Sequence, residues 1–132
     1  MKATLWSDGG ARGNPGPAGA GAYLKLDDGR EFHLSEYLGE TTNNVAEYAG
    51  LRLGLTAALK HKVTEIECLM DSELLVKQLK GEYRVKAEHL KSAFTELQML
   101  LGRFRKSAVR HVRREQNTVA DALSNEAMDR RA

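Results

Sequence analysis

The sequence predicts an α/β domain in which helices cover a mixed β-sheet. Three segments with the character of strands come first, at residues 3–8, 20–27 and 30–38, and the Asp-Asp-Gly segment at 27–29 is typical of a hairpin turn. Farther along the chain, segments of helical and strand-like periodicity alternate. Strands that are first antiparallel and then separated by helices indicate a mixed sheet with helices packed on it.

The later elements follow from the spacing of apolar side chains. Residues 44–61 place small and apolar side chains at helical spacing on a broad face, which favours close packing on a sheet. Strand-like alternation follows around Ile66, Cys68 and Met70. The remaining predicted elements are a helix near 72–80, an amphipathic helix between Leu90 and Phe104, a strand at 107–113 and a helix from about 118.

Composition limits the classes of protein to which the chain can belong. With 132 residues, of which 42% are hydrophobic, it has the size of one domain with its own core, and we expect a single domain over residues 1–132. Cys68 is the only cysteine, so no internal disulfide can form. No apolar run approaches the roughly 18 residues that a membrane span needs, and the N-terminus does not resemble a signal peptide. We therefore expect a cytoplasmic protein without membrane association.

The distribution of charge is more informative than its sum. The net charge of +2 permits nucleic-acid binding without indicating it. Between Glu96 and Glu115 there is no acidic residue, and the basic residues in this interval are Arg103, Arg105, Lys106, Arg110, Arg113 and Arg114. This cluster can follow a phosphate backbone, or it can be a solvated rim around a helix-to-strand turn.

Four acids stand where predicted strands end or helices begin, and each also has an ordinary structural explanation. Asp8 precedes two glycines, as in a turn, and Glu47 lies three residues after Asn44, as in a capping box. Asp71 can cap the helix that follows it. Asp121 can interact favourably with the dipole of the last helix.

As a group, these four acids favour a cation site. Strand ends and helix starts at one edge of a sheet can bring distant side chains together around a crevice. Crowded carboxylates repel one another and attract hard divalent cations with oxygen ligands, Mg²⁺ above all. No spacing of Cys and His residues suggests zinc, and we expect Cys68 to be a small buried apolar side chain.

Four segments, in order, resemble the motifs of one known family. They are DGGARGNPGPAGAG at 8–21, TTNNVAEY at 41–48, Asp-Ser at 71–72 and NTVADALS at 117–124. The chain resembles type 1 ribonuclease H, in a short form. The resemblance implies a ribonuclease H-like fold whose five-stranded mixed sheet has the order 3-2-1-4-5 and is flanked by helices. It also implies an endoribonuclease that hydrolyses the RNA strand of RNA–DNA hybrids.

By this resemblance, Asp8, Glu47, Asp71 and Asp121 are the catalytic and metal-binding residues. They would hold two Mg²⁺ ions roughly 4 Å apart, with Mn²⁺ able to substitute. One ion would activate the attacking water and the other would stabilise the leaving 3′ oxygen, which gives 5′-phosphate and 3′-hydroxyl ends.

The resemblance also implies contacts with the substrate. Asn14, Asn43 and Asn44 match positions that contact the hybrid in its shallow minor groove, where the 2′-hydroxyl distinguishes RNA from DNA. Thr42 matches a residue that helps to hold a DNA phosphate. Turn and cap chemistry also explains the asparagines. Glu73 stands where well-known bacterial members have a glutamine that contacts RNA, so that contact would change.

The chain departs from the family at two further places, and the role of Asn117 stays open. The basic, aromatic-rich handle after the second helix is missing, because residues 80–84 lead promptly to the amphipathic helix. The loop before the last helix lacks the mobile histidine of many relatives, and we expect His111, within the last strand, to be structural. Asn117 either faces the site and orders a metal-bound water or caps the last helix.

Two other functions stay open at this stage. The chain could be a non-catalytic nucleic-acid-binding module of the same fold, although no acid of the four is missing, or a nuclease that also cuts double-stranded RNA. We expect an RNA–DNA hybrid as the partner, with no obligate protein partner and a monomeric state.

Overall fold

The computed structural model describes residues 1–131 and has the predicted succession of strands and helices. The strands are β1 (Lys2–Ala11), β2 (Gly16–Leu26), β3 (Glu31–Thr41), β4 (Glu65–Met70) and β5 (Lys106–His111). The helices are α1 (Asn43–Lys60), α2 (Glu73–Leu79), α3 (Glu88–Gly102) and α4 (Thr118–Arg130), with a 3-10 turn at Arg114–Gln116.

The strands form one mixed sheet in the order β3-β2-β1-β4-β5, which confirms the expected topology. Neighbouring strands β3, β2 and β1 are antiparallel, whereas β1, β4 and β5 run parallel to one another. The carboxyl ends of β1, β4 and β5 therefore meet at one edge of the sheet, which is where α/β proteins commonly place their ligands.

Helices α1 and α4 lie on opposite faces of the sheet. A side chain at Gly54 of α1 would meet Leu5 of β1, whereas side chains at Gly19 and Gly21 of β2 would meet α4. The main apolar core, which contains Leu5, Leu24 and Leu55, lies on the α1 side. Because side chains alternate between the two faces of a strand, α1 and α4 contact different residues of the same strands near the edge of the sheet.

The first strand is longer than the sequence predicts, and this removes one explanation for Asp8. Strand β1 continues through residues 9–11, which pair with residues 18–20 of β2. Asp8 is therefore inside a strand and not in a turn. Of the two glycines that suggest a turn, Gly9 instead allows close packing of α1 on the strand.

The helix caps differ from those the sequence predicts. The hydroxyl of Thr42 accepts a hydrogen bond from the backbone N–H of Val45 at 3.3 Å and caps α1, so the capping box of Asn44 and Glu47 is wrong. At α2 the cap is Ser72, not Asp71. The carboxylates of Glu47 and Asp71 therefore do not cap these helices.

Two expectations about composition agree with the structure. Cys68 is a fully buried free thiol in β4, and burial raises its pKa to about 12, as expected for a small apolar side chain. Within residues 1–131, every helix is too short or too polar to cross a bilayer.

Candidate active site

All four predicted acids line one cavity of about 740 Å³ at the carboxyl edge of the sheet. Asp8 comes from β1, Glu47 from the second turn of α1, Asp71 from the residue after β4, and Asp121 from the first turn of α4. Four stretches of chain that are far apart in sequence thus contribute one carboxylate each.

Close approach of α1 to β1 brings Glu47 towards Asp8. A Cβ atom at Gly9 would lie 2.0 Å from the backbone oxygen of Ala46, and one at Gly50 would lie 2.3 Å from the backbone oxygen of Asp8. No side chain fits at these distances, so only glycine allows the helix and the strand to touch. Gly9, in the first motif, and Gly50, in α1, are therefore required by packing at the site.

The electrostatics of Asp8 reflect the crowding of negative charge. Burial is the largest effect and raises the pKa of Asp8 to about 7, with further contributions from the charge of Asp71 and from a hydrogen bond with Asp121. A hydrogen bond with the backbone of Gly9 acts in the opposite direction. Near neutral pH and without a cation, Asp8 is therefore protonated in a substantial fraction of the molecules.

The pKa of Glu47 is also raised. Burial raises the pKa of Glu47, a hydrogen bond with the Ser72 side chain lowers it, and the charge of Asp71 raises it. In two of the four carboxylates, Asp8 and Glu47, the pKa is thus raised, and a nearby positive charge would lower it again.

The chemical type of the donor atoms suits a hard divalent cation. The four predicted ligands offer carboxylate oxygens only, which suits Mg²⁺ or Mn²⁺, and the raised pKa values show that positive charge would be favourable there. Within residues 1–131, no three acid, histidine or cysteine side chains already stand in metal-binding geometry. The fit therefore lies in the type and convergence of the oxygens and not in a preformed coordination sphere.

A histidine that the sequence assigned to structure lies at the cavity. His111 is the last residue of β5, is exposed, and lines the same cavity as the acids. It pairs in register with Met70, the neighbour of Asp71. The signal was available in the sequence, because parallel strands that end together place the residues that follow them side by side.

The basic cluster between Glu96 and Glu115 is not one surface. Arg113 and Arg114 line the acid cavity. Arg103 and Arg105 precede β5 and therefore lie at its amino end, about 20 Å from the site for a six-residue strand. Arg110 pairs with Glu67. Only the end of the cluster is placed to meet a ligand at the acids.

The predicted substrate asparagines are exposed and held in a defined orientation. The Asn14 Oδ1 atom accepts a hydrogen bond from the backbone N–H of Asn43 at 3.1 Å, and the Asn43 Oδ1 atom accepts one from Ala11 at 2.8 Å. Because both oxygens are used, both amides keep their N–H groups for an external acceptor. Asn44 lies at a separate cavity of about 520 Å³ with Leu74 and Tyr83.

Two further predicted residues are placed outside the acid cavity. Glu73 is exposed at the start of α2 and forms an ion pair with Lys77 at 2.8 Å, which lowers the pKa of Glu73. Asn117 is buried, and its amide donates to the backbone oxygen of Ser7 at 2.9 Å. Asn117 is the N-cap residue of α4 by position, but its side chain makes no capping hydrogen bond. It does not line the cavity, so the predicted role in ordering a metal-bound water does not match its position.

Sequence reasoning missed two residues that line the cavity, Ser124 and Asn125. The hydroxyl of Ser124 lies 3.2 Å from the Asp8 Oδ2 atom, and the Asn125 amide donates to the backbone oxygen of Asp121. Their spacing of three and four residues from Asp121 places them on the same face of α4. That periodicity was the signal that could have identified them.

The sequence and the fold were compared with known proteins. The profile of the family described as reverse transcriptase-like matches residues 6–127. A bifunctional protein of Mycobacterium tuberculosis is 44% identical over 131 residues, which are 98% of this chain and 36% of that protein. The chain thus spans about a third of the length of this relative.

Two solved structures of similar size have nearly the same fold. Ribonuclease H1 from the halophilic archaeon Halobacterium salinarum has a TM-score of 0.93 and 37% identity, with 98% of this chain and 99% of that chain covered. The LC11 ribonuclease H1, solved in complex with an RNA/DNA hybrid, has a TM-score of 0.90 and 41% identity, with 98% of each chain covered.

The fold and the acid cavity place the chain among α/β domains with a carboxylate-lined site at the edge of a mixed sheet. The comparisons make this assignment specific. The chain belongs to the ribonuclease H family.

Proposed function

We propose that this chain is an endoribonuclease that hydrolyses the RNA strand of RNA–DNA hybrids with the help of divalent cations. The convergence of Asp8, Glu47, Asp71 and Asp121 on one cavity is the observation that carries the proposal. The LC11 enzyme, which is 41% identical, was solved with an RNA/DNA hybrid, and this supports the same substrate class here.

In this proposal the four carboxylates hold the cations and the basic residues hold the substrate. Bound Mg²⁺ ions would supply the Lewis acidity that activates a water molecule and stabilises the leaving oxygen. Asp8, whose pKa is about 7, would release its proton when a cation binds, because the positive charge offsets the burial and the neighbouring negative charge that raise this pKa. The same positive charge would lower the pKa of Glu47. Arg113 and Arg114, at the cavity wall, would attract the phosphodiester.

The asparagine amides suit the minor groove of a hybrid. Since the side-chain oxygens of Asn14 and Asn43 accept internal hydrogen bonds, these residues present donors, which match the oxygen of a 2′-hydroxyl and the acceptor atoms at base edges. A contact between Glu73 and RNA remains a prediction.

A panel of substrates tests the proposed function. The purified chain should degrade only the labelled RNA strand of an RNA–DNA hybrid when Mg²⁺ or Mn²⁺ is present, and not when EDTA is present. Double-stranded RNA, double-stranded DNA and single-stranded RNA serve as the other substrates. Cleavage of double-stranded RNA at a comparable rate would favour the broader nuclease, and binding without cleavage of any substrate would favour the non-catalytic module.

Asp8→Asn is the variant that decides whether the acids are responsible. It should abolish cleavage and leave hybrid binding largely intact, because it removes charge with little change of volume. Asp28→Asn is the matched control, since it makes the same change at an exposed hairpin far from the cavity. Cleavage that survives in Asp8→Asn would refute the assignment of the site.

The cytoplasmic location, the monomeric state, the lack of an obligate protein partner and the single domain over residues 1–132 remain predictions. Sedimentation of the purified chain with and without a hybrid would test the monomeric state.

A further inference from the structure

Buried polar side chains are concentrated around Asp8. Among residues 1–131, four polar side chains are buried, and they are Ser7, Gln78, Asn117 and Ser124. Ser7 precedes Asp8, Asn117 donates to the backbone oxygen of Ser7, and Ser124 reaches Asp8 itself. Buried polar groups are costly unless they are hydrogen-bonded. The Gln78 side chain bonds to Tyr48, whereas Ser124 places its hydroxyl at the Asp8 carboxylate, which points to a role for Ser124 there.

The hydroxyl of Ser124 has one proton and two acceptors within reach. The Asp121 backbone oxygen lies 2.9 Å away and the Asp8 Oδ2 atom lies 3.2 Å away. The Asp121 oxygen already accepts a hydrogen bond from the Asn125 amide at 3.0 Å. A hydrogen bond to an ionised carboxylate is about twice as strong as one between neutral groups. Ionised Asp8 is therefore the favoured acceptor.

The sheet is built so that α4 can bring Ser124 to this position. Asp8 pairs across the strands with Gly21. A Cβ atom at Gly21 would lie 2.4 Å from the backbone oxygen of Ala120 and 2.6 Å from the backbone nitrogen of Ser124. Because Gly21 has no side chain, the backbone of α4 lies directly on β2 and its buried face is next to Asp8.

Asn117 fixes the start of the same helix. Its side-chain amide donates to the Ser7 backbone oxygen at 2.9 Å, and its own backbone oxygen accepts from the N–H of Asp121 at 3.1 Å. The helix is thus tied to β1 one residue before Asp8, and Ser124, about two turns farther along α4, meets the carboxylate.

We propose that Ser124 is a positioning residue, which holds the Asp8 carboxylate beside Asp121 so that the two acids can bind a divalent cation together. The proposal rests on the proposed function of the site. Groups that hydrogen-bond to metal-binding side chains fix the orientation of those side chains, and their loss commonly weakens metal binding or activity by about 10-fold to 100-fold.

Calorimetric titration of Mn²⁺ into the protein, without nucleic acid, tests this role. Ser124→Ala should bind Mn²⁺ about 10-fold more weakly than the unsubstituted chain. Ser124→Cys, which keeps the shape and a weak donor, should recover part of the affinity. Thr95→Ala is the matched control, because its hydroxyl also donates to a helix carbonyl, that of Lys91, on the exposed side of α3. It should leave the affinity unchanged.

Kinetics separate positioning from general damage. Ser124→Ala should lower kcat for hybrid cleavage at fixed, subsaturating Mn²⁺ and leave KM for the hybrid unchanged, and higher Mn²⁺ should restore part of the lost rate.

Equal Mn²⁺ affinity in Ser124→Ala and Thr95→Ala would overturn the proposal. If the unsubstituted chain binds Mn²⁺ but cleaves no hybrid, the proposed function fails while the titration still decides the role of Ser124. If it binds no Mn²⁺, both fail.

Discussion

At the scale of single residues, Asp8 combines a proposed metal-binding charge with a cost to stability. Its pKa is about 7 in the folded chain and 3.8 ordinarily, so between about pH 4 and pH 7 the folded state holds more protons than the unfolded state. Stability of the cation-free chain therefore falls as pH rises through this window and then levels off. Glu47, whose pKa is also raised, acts in the same direction.

We predict that Asp8→Asn stabilises the cation-free chain at pH 8 by on the order of 2 kcal/mol, which is less than the full shift implies because Asp8 is partly open to solvent. At pH 5, where Asp8 is already neutral, the variant and the unsubstituted chain should be nearly equal. Urea unfolding at the two pH values, with EDTA, measures the difference. A variant that is less stable at pH 8 would contradict the raised pKa.

Asp28→Asn is a control for which the expected change in stability has the opposite sign. Hydrogen bonds with Arg30, from its backbone and its side chain, lower the pKa of Asp28. A carboxyl with a lowered pKa contributes stability above its ordinary pKa, and that contribution is lost as pH falls. Removing it should slightly destabilise the chain at pH 8 and not stabilise it.

The sequence predicts the four acids because their order and spacing follow a known motif. It does not predict which buried side chains contact Asp8 and the strand that carries it. Asp8, Glu47, Asp71 and Asp121 are recognisable as residue types in fixed segments. The contacts of Asn117 and Ser124 with β1 depend on how α4 crosses the sheet, which no local pattern encodes. Three of the acids also have plausible local roles in the sequence. The pairing of β1 with β2 excludes the turn at Asp8, and the hydrogen bonds of Thr42 and Ser72 exclude the helix caps at Glu47 and Asp71.

At the scale of elements, the packing of α1 on β1 decides where Glu47 stands. A methyl group at Gly9 would lie 2.0 Å from the Ala46 oxygen, whereas one at Gly10 would have no neighbour closer than 3.9 Å. We predict that Gly9→Ala destabilises the chain by about 1–3 kcal/mol, because α1 must move away from the strand. The adjacent Gly10→Ala should change stability by less than about 0.5 kcal/mol.

Thermal unfolding of the two glycine variants, with the unsubstituted chain beside them, is the measurement. Both variants add one methyl group to the same strand, so differences in strand propensity largely cancel. Equal stabilities would mean that α1 does not touch β1 as closely as described here. In Gly9→Ala we also expect weaker Mn²⁺ binding, since Glu47 moves with α1.

The loop between α2 and α3 is the element best placed to replace the missing handle. Its cavity of about 520 Å³ is lined by Asn44, Tyr83, Arg84 and Lys86, and the Lys77 ammonium lies 4.9 Å from the Tyr83 ring centre. The exposed cations, the exposed ring and a predicted substrate residue together suit a nucleic-acid backbone that leaves the acid cavity.

We predict that Arg84→Ala reduces the slope of log Kd against log salt for a hybrid by about one, the amount expected for one lost phosphate contact. Arg103→Ala removes the same charge at the amino end of β5 and should leave the slope unchanged. Fluorescence anisotropy with a catalytically inactive Asp8→Asn background measures both. A larger effect at Arg103 would show that the original basic interval, and not the loop, grips the substrate.

Element order was predictable from the sequence, whereas element ends were not. The hairpin of β2 and β3 and the alternation that follows were visible in turn residues and periodicity. Strand β1 was predicted to end at residue 8 because glycine usually marks a turn, but pairing with β2 carries it to Ala11. For β5 the error has the opposite direction, because the sequence predicts a strand that continues to residue 113. His111 is in fact the last residue of the strand and pairs in register with Met70, the neighbour of Asp71.

At the scale of the whole molecule, a cation that binds only the folded chain must stabilise the entire fold. The stabilisation is RT ln(1 + [L]/Kd), or about 2.7 kcal/mol at a hundredfold excess over Kd. Binding requires ionised carboxylates, and the pKa of Asp8 is about 7 before a cation binds. The affinity, and with it the stabilisation, should therefore increase as pH rises from 5.5 to 8 and change little beyond that.

We therefore predict that Mg²⁺ or Mn²⁺ raises Tm more at pH 8 than at pH 5.5, which offsets the loss of stability that the cation-free chain suffers over the same range. Thermal unfolding with cation and with EDTA at both pH values measures the effect. Asp8→Asn should show a smaller shift and a weaker dependence on pH, because it lacks the proton that the cation displaces. Equal shifts at both pH values in the unsubstituted chain would mean that the cation binds away from Asp8, and the site would have to be assigned elsewhere.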